Sequence, residues 1–269
     1  MNPALRHLRP TVAVVRRDLL LAWSYRLQFV AGAFSGFVSL TIFYYISRLV
    51  RVEQFSPNEY FAFVAIGIVI FTIVTATLQI PQVSLRQELV AGTFERMLLA
   101  PWGSAAAIVS LLIYPTLYAM FTVASLVFIG AAVFDLQLQW STVPLAIPVT
   151  VLSLLALAPF GILLLASVIF SKKAPPGANY IIAGLSVVAG LYFPVALLPD
   201  WIRWASDVQP LTPAVELLRT TLVGQPLSHP AWLTVTKLAV FAGVALPLAV
   251  AVLQRALRSS RRRGTILEY

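Results

Sequence analysis

The sequence predicts an all-α integral membrane protein. Of its 269 residues, 59% are hydrophobic and only 11% are charged, whereas an ordinary soluble domain is about 45–50% apolar and about 25% charged. The charged residues also leave uncharged runs long enough to cross a bilayer, which takes about 20 apolar residues in a helix. These runs are expected to be helical, because lipid tolerates only spanning segments whose backbone polar groups are satisfied internally.

The first element, residues 4–25, is predicted to be an amphipathic helix lying along the membrane surface. Its apolar residues recur at helical spacing, and arginines lie mostly between them. A signal peptide is the alternative, since Arg16 and Arg17 precede an apolar stretch. Asp18 and Arg26 interrupt that stretch, and the run then continues to full spanning length, which favours the surface helix.

Six membrane-spanning helices are predicted to follow. They cover residues 27–47, 60–80, 104–134, 143–170, 177–199 and 231–254. With six spans both termini share a side, and that side carries 14 of the 19 Lys and Arg. Because cytoplasmic loops carry the excess of Lys and Arg, both termini are predicted to be cytoplasmic.

Composition excludes several functions. The net charge of +9 follows from this topology, so no nucleic-acid partner is expected. There is no cysteine, and His7 and His229 lie outside the apolar runs, so no metal site is expected within the membrane. The chain also lacks a G-x-x-x-x-G-K phosphate loop. Since the first five spans contain no ionisable residue, catalysis by this chain is not expected, and its energy should come from a partner.

The first cytoplasmic loop, residues 82–101, is the most informative stretch. It is predicted to contain a short helix that ends at Gly92 and a second helix that Thr93 caps. Glu95 would lie in the first turn of that second helix, at its positive end. Phe94 and Leu98 would belong to an apolar ridge among charged residues. The loop is therefore a candidate docking site for a cytosolic partner, with an ordinary loop as the alternative.

Residues 200–227 are predicted to form short re-entrant helices on the outer side, between spans five and six. Asp200 is expected to cap the first, and Thr212 with Pro213 to begin a second of about eleven residues that ends at Gly224. Both are too short to cross a bilayer. An ordinary interfacial loop is the alternative. The candidate residues here are Asp200, Trp201, Trp204, Pro213, Glu216 and Arg219.

Two motifs resemble those of ABC-2 type transporter permeases, and the likeness extends over the whole chain. The first is Glu88-x-x-x-Gly92-Thr93-x-Glu95-x-x-Leu98-x-x-Pro101. The second runs through Tyr192-Phe-Pro194, Leu198-Pro-Asp-Trp201 and Gln209-Pro-Leu-Thr-Pro213-Ala-Val-Glu-Leu-Leu-Arg219. The resemblance implies that residues 82–101 carry a coupling helix for a separate ABC ATPase subunit, which binds the ATP and Mg. The implied coupling residues are Glu88, Gly92, Thr93, Phe94, Glu95, Arg96, Leu98 and Pro101.

The resemblance further implies the permease subunit of an exporter, paired with a second copy as a homodimer in a bacterial or archaeal cytoplasmic membrane. No cofactor is expected on this chain itself. The implied cargo is hydrophobic or amphipathic: a drug, a lipid or a lipid-linked glycan. Spans one, two and five of paired permeases surround the path in this family. The candidate path residues are therefore Phe43, Tyr44, Tyr45, Tyr192, Phe193 and Pro194, with interface anchoring as the alternative.

Two other classes of function stay open from the sequence. A membrane-embedded, lipid-modifying enzyme would need converging polar groups. The available outer cluster consists of Asp200, Asp207, Glu216 and Arg219. An energy-independent channel or scaffold would make the loop motif incidental.

Overall fold

The computed structural model describes residues 26–49, 56–94, 104–171 and 178–262, and the predicted surface helix at 4–25 lies outside them. The described residues are helical, with two short 3-10 turns at Ser110–Leu112 and Val195–Leu197 and no strand among them. The α-helices are α1 (Arg26–Leu49), α2 (Pro57–Leu78), α3 (Ile80–Val90), α4 (Ser104–Val109), α5 (Ile113–Phe134), α6 (Val143–Ser171), α7 (Ala178–Val188), α8 (Asp200–Val208), α9 (Leu211–Val223) and α10 (Ala231–Arg262). The predicted all-α class is confirmed.

Five helical segments in the described residues are long and apolar enough to cross a membrane. They are Phe29–Leu49, Pro57–Val90, Ala107–Phe134, Val143–Ile169 and Ala231–Ser260. The predicted span at 177–199 is instead the 11-residue α7 followed by a break in the helix. A count of six spans is therefore not confirmed.

α2 and α6 form the interior of the bundle. Both are buried over most of their length, whereas α1 and α10 present most of their apolar side chains outward. α2 begins with a capping box, in which Ser56 N–H donates to Glu59 Oε2 at 2.8 Å and Glu59 N–H donates to Ser56 Oγ at 3.4 Å. Pro57 follows at the first turn, where its missing N–H costs nothing. These signals fix where the central helix starts.

Glycines allow the closest helix contacts. On α1, Gly32 faces the Tyr118 ring and Gly36 faces Leu126, so this small-residue pair packs against α5 of the same chain. On α6, a Cβ at Gly161 would lie 2.5 Å from the carbonyl oxygen of Thr77. That carbonyl has no helical partner, because Pro81 lacks an N–H. α6 therefore touches α2 backbone to backbone where α2 passes into α3.

The two ends of the bundle have separate apolar cores. One core joins α2, α5, α6 and α9, at the end that carries α8, which we name the hairpin end. The other joins α3, α4, α6 and α10, at the end that carries α3, which we name the loop end. α2 and its continuation into α3 thus connect the two ends.

The starts of α8 and α9 differ from those predicted. Asp200 is the first residue of α8 and makes no capping bond, because Pro199 precedes the helix; the Asp200 carboxylate instead pairs with Arg203 at 2.9 Å. α9 begins at Leu211 after Pro210, so Thr212 lies inside its first turn and is not the cap. Its end is as predicted, since Gly224 takes the left-handed conformation at φ +72°.

Candidate functional site

α3 ends in a glycine-dependent chain reversal. Gly92 has φ +68°, its N–H donates to the Leu89 carbonyl at 3.2 Å, and the Thr93 N–H donates to the Glu88 carbonyl at 3.1 Å. This pair of bonds is the Schellman motif. The Thr93 hydroxyl also donates to the Glu88 carboxylate. Three of the predicted coupling residues thus form one locally bonded corner, whereas Glu95, Arg96, Leu98 and Pro101 lie outside the described residues.

Phe94 lies in the interior rather than on an exposed ridge. Its ring is 4% exposed and belongs to the loop-end core together with Leu85, Leu89, Ile162 and Leu253. The corner after α3 is therefore attached to α6 and α10 by a buried aromatic side chain. The corner therefore shares one apolar core with both of those long helices.

The exposed face of α3 was not among the features predicted from the sequence. Val83, Arg86, Gln87 and Val90 follow one another at helical spacing and are exposed, whereas Leu85 and Leu89 between them are buried. Two valines on this exposed face, 51% and 74% accessible, are unusual next to charged groups at a chain corner. The period of the buried leucines could have revealed this face from the sequence.

Gly92 gives the first testable prediction. A Cβ there would meet nothing within 4 Å, so alanine would introduce only backbone strain at φ +68°. Gly92→Ala should destabilise the protein by about 1 kcal/mol, and Gly92→Asn by less, because Asn tolerates the left-handed region. Thermal unfolding of the purified protein in detergent measures both. Equal stability of the glycine and alanine forms would contradict the left-handed corner.

α7 ends in a second corner of the same type, inside the bundle. Gly190 has φ +71°, its N–H donates to the Val187 carbonyl at 3.1 Å, and the Leu191 N–H donates to the Ser186 carbonyl at 3.3 Å. The Leu191 carbonyl lies against Gly67, halfway along α2, where a Cβ would come within 2.2 Å of that oxygen. The helix therefore stops at the middle of α2.

Arg219 donates hydrogen bonds to the carbonyl groups at the point where α7 ends. Its Nη2 donates to the carbonyl oxygens of Leu191 at 2.9 Å, Gly190 at 3.0 Å and Phe63 at 3.3 Å. Its guanidinium also lies 3.4 Å from the centre of the Phe63 ring, a cation–π contact. From α8, the Ser206 hydroxyl donates to the Val188 carbonyl at 2.9 Å. A cation at the negative end of a helix is favourable, so α8 and α9 together cap α7.

Arg219 is 6% exposed and forms no ion pair within the described residues. Burial lowers the pKa of Arg219 to about 9, and the nearby charge of Glu216 opposes that shift. The guanidinium therefore remains charged at neutral pH, bound to backbone carbonyls. Of the predicted outer polar cluster, Arg219 points into the core and Asp200 is paired with Arg203 at the surface, whereas Asp207 and Glu216 line one cavity.

The candidate path aromatics divide into two groups. Phe43 on α1 stacks on Tyr192, with ring centres 6.4 Å apart and planes at 17°. Tyr192 follows directly after the carbonyls that Arg219 binds, and Phe193 and Pro194 beside it are half-buried. Tyr44 instead packs into the core against Phe61, and Tyr45 points outward with 63% of its surface exposed. The structure thus brings together only part of the predicted set.

The outer candidate residues also separate by burial. Pro213 is buried in α9 and Glu216 is half-buried. On α8, Trp201 and Trp204 are 75% and 64% exposed and form one apolar face, as expected for residues at a membrane interface.

Comparison with known proteins identifies the family of the chain. The family model described as ABC-2 type transporter matches residues 10–223, which include the corner after α3, the break after α7 and Arg219. Comparison with curated proteins finds no match to the chain. Since the family model covers most of the sequence and the chain folds into a bundle of membrane-length helices, the protein is a multi-pass membrane protein that belongs to the ABC-2 type transporter family.

Proposed function

We propose that this chain is the permease subunit of an ATP-driven exporter of hydrophobic or amphipathic molecules, and that two copies pair in the membrane. Its energy comes from a separate cytosolic ATPase that binds ATP and Mg and docks at the loop end. The observation that carries the proposal is the corner at Gly92–Thr93, which adjoins the exposed face of α3 and whose neighbour Phe94 is buried in the loop-end core.

The orientation follows from charge. The loop end faces the cytoplasm, because the segments on that side carry most of the Lys and Arg. α7 then enters from the cytoplasmic side and ends at mid-depth, and the chain completes the fifth of six crossings through its non-helical break. α8 and α9 form the outer re-entrant region. Helix ends inside a membrane need protein partners for their carbonyls, which is the role that Arg219 and Ser206 fill.

In this proposal the ATPase binds the exposed face of α3. Motion of α3 reaches α6 and α10 through the loop-end core, and reaches the break through α2. The stacked rings of Phe43 and Tyr192 stand beside that break and serve as part of the path or its gate. Arg219 and Asp200, two of the four polar residues considered for an enzyme, face different surroundings at the hairpin end.

The test is co-purification with the candidate ATPase and vanadate-sensitive ATP hydrolysis. Val83→Asp and Arg86→Glu change the exposed face of α3 without touching its buried leucines. Each should weaken the complex by about tenfold, because a charge placed in a docked interface is left unpaired. Arg255→Glu is the matched control, an exposed arginine on α10 at the same end.

Three outcomes separate the possibilities. Loss of complex and hydrolysis in the α3 variants alone supports docking at α3. An equal loss in Arg255→Glu would assign the effect to charge on this side in general and contradict docking at α3. If wild-type protein retains no ATPase at all, the exporter function itself is wrong, and a channel or scaffold takes its place.

A further inference from the structure

A polar cavity lies at the hairpin end, next to the break, with which it shares Ser206, and away from the corner after α3. It has a volume of about 200 Å³ and is walled by α8, α9, α10 and the 3-10 turn at Val195–Leu197. The side chains that matter for its chemistry are Asp207, Glu216, Ser228, His229, Thr234 and Lys237. Carboxylates, an ammonium group, an imidazole and hydroxyls thus face one space in a chain with few charged residues.

The opposite charges in this cavity do not neutralise one another. Within the described residues, Lys237 forms no ion pair with Asp207 or Glu216, although all three line the same space. Glu216 is held in place, because the Ser228 hydroxyl donates to its Oε1 at 2.8 Å. A cavity that keeps a carboxylate and an ammonium apart offers each to a ligand carrying the opposite charge.

The surroundings place the cavity at the level of lipid headgroups. Trp201 and Trp204 are exposed on α8, and Trp232 is 70% exposed on α10, five residues before Lys237. Exposed tryptophans of membrane proteins concentrate where the headgroups begin. A cavity at this level is open to a polar group whose apolar tails stay in the bilayer.

We infer that this cavity binds the zwitterionic headgroup of a membrane lipid, one that carries a phosphate and a primary amine. The amine lies against Glu216 and Asp207, and the phosphate lies against Lys237 and His229. A primary ammonium is a three-proton donor and suits two carboxylates, whereas a purely anionic headgroup leaves both of them opposed by like charge. This binding goes beyond export and does not require it.

The experiment uses the full chain purified in a neutral detergent, with lipid adducts counted by native mass spectrometry. Phosphatidylethanolamine and phosphatidylglycerol of identical acyl chains are the probes. We expect wild-type protein to prefer phosphatidylethanolamine by about tenfold, since the preference rests on charge-assisted hydrogen bonds. Glu216→Gln should reduce that preference to near equality, whereas Lys237→Gln should weaken the binding of both lipids, since both carry the phosphate.

Asp200→Asn is the control, because it removes a carboxylate at the same end that does not line the cavity. It should keep the wild-type preference. No preference in wild-type protein, or a preference that survives Glu216→Gln, would overturn the inference, and so would unchanged binding of both lipids to Lys237→Gln. If soluble glycerophosphoethanolamine binds as tightly as the lipid, the lipid assignment is wrong. Unchanged unfolding temperatures and ATPase co-purification of the variants separate this result from failure of folding or of the proposed docking.

Discussion

Arg219→Met is expected to destabilise the protein more than any other single change considered for this fold. Methionine removes the donor from two carbonyls, at Gly190 and Leu191, that lie at the buried end of α7 where its helical hydrogen bonding stops. An unsatisfied buried polar group costs about 1–3 kcal/mol, so the loss should be about 3 kcal/mol in total. For a chain of this size that corresponds to a decrease in unfolding temperature on the order of 10 °C. Thermal unfolding in detergent measures it.

Arg203→Met is the matched control for this prediction. Arg203 also donates to backbone carbonyls, of Leu198 at 2.8 Å and Ala196 at 3.2 Å, but its side chain is 46% exposed and water can replace it. Its loss should cost well under half as much. Arg219→Lys should fall between, because one ammonium cannot reproduce the planar fork of a guanidinium. Similar costs for the methionine variants at 203 and 219 would contradict the capping role of Arg219.

Gly67→Ala is expected to have the second largest effect. The new methyl carbon would lie 2.2 Å from the Leu191 carbonyl oxygen, a backbone atom that is itself held by Arg219. Either α2 or the break must move, and overpacking of this kind typically costs about 1–3 kcal/mol. Unfolding temperature and the yield of monodisperse protein measure the loss.

Gly184→Ala and Gly243→Ala are the controls for Gly67. Both glycines are helical, and an added Cβ at either one meets nothing within 4 Å. They should stabilise the protein slightly, by roughly 0.5–1 kcal/mol, since alanine has less backbone freedom to lose. A stable Gly67→Ala protein would contradict the close contact between α2 and the break.

Much of the fold could be predicted from the sequence because charge and turn residues mark the ends of the apolar runs. Gly224 ends α9 and Ser56 with Glu59 begins α2, each by local bonding. The break after α7 could not be predicted from length and hydropathy, since the residues that follow it are as apolar as a helix interior. Gly190 and Pro194 are its local signals, and the sequence predicted a break at Tyr192–Pro194 by resemblance, although glycine and proline are also common in continuous membrane helices.

The roles of individual side chains were less predictable, because they depend on distant contacts. Arg219 reads as an outer charge next to Glu216 in sequence, but α9 turns it toward carbonyls 28 and 29 residues away. Phe94 reads as part of an exposed ridge, and only the packing of α6 and α10 shows that its ring is buried. Hydrogen bonds from side chains to the backbone, and contacts in the core, can hardly be recognised from the amino-acid composition.

The close contact between Gly161 and Thr77 fixes the α2–α3 segment against α6 near the middle of that segment. Gly67 lies ten residues from Thr77 on one side and Glu88 lies eleven residues from it on the other, which is about 15 and 16 Å along the axis of an α-helix. Because these two distances are nearly equal, a rotation of the segment about Thr77 displaces both positions by similar amounts. In the proposed function, motion at the corner after α3 therefore reaches Gly67, and with it the Leu191 carbonyl that Arg219 binds.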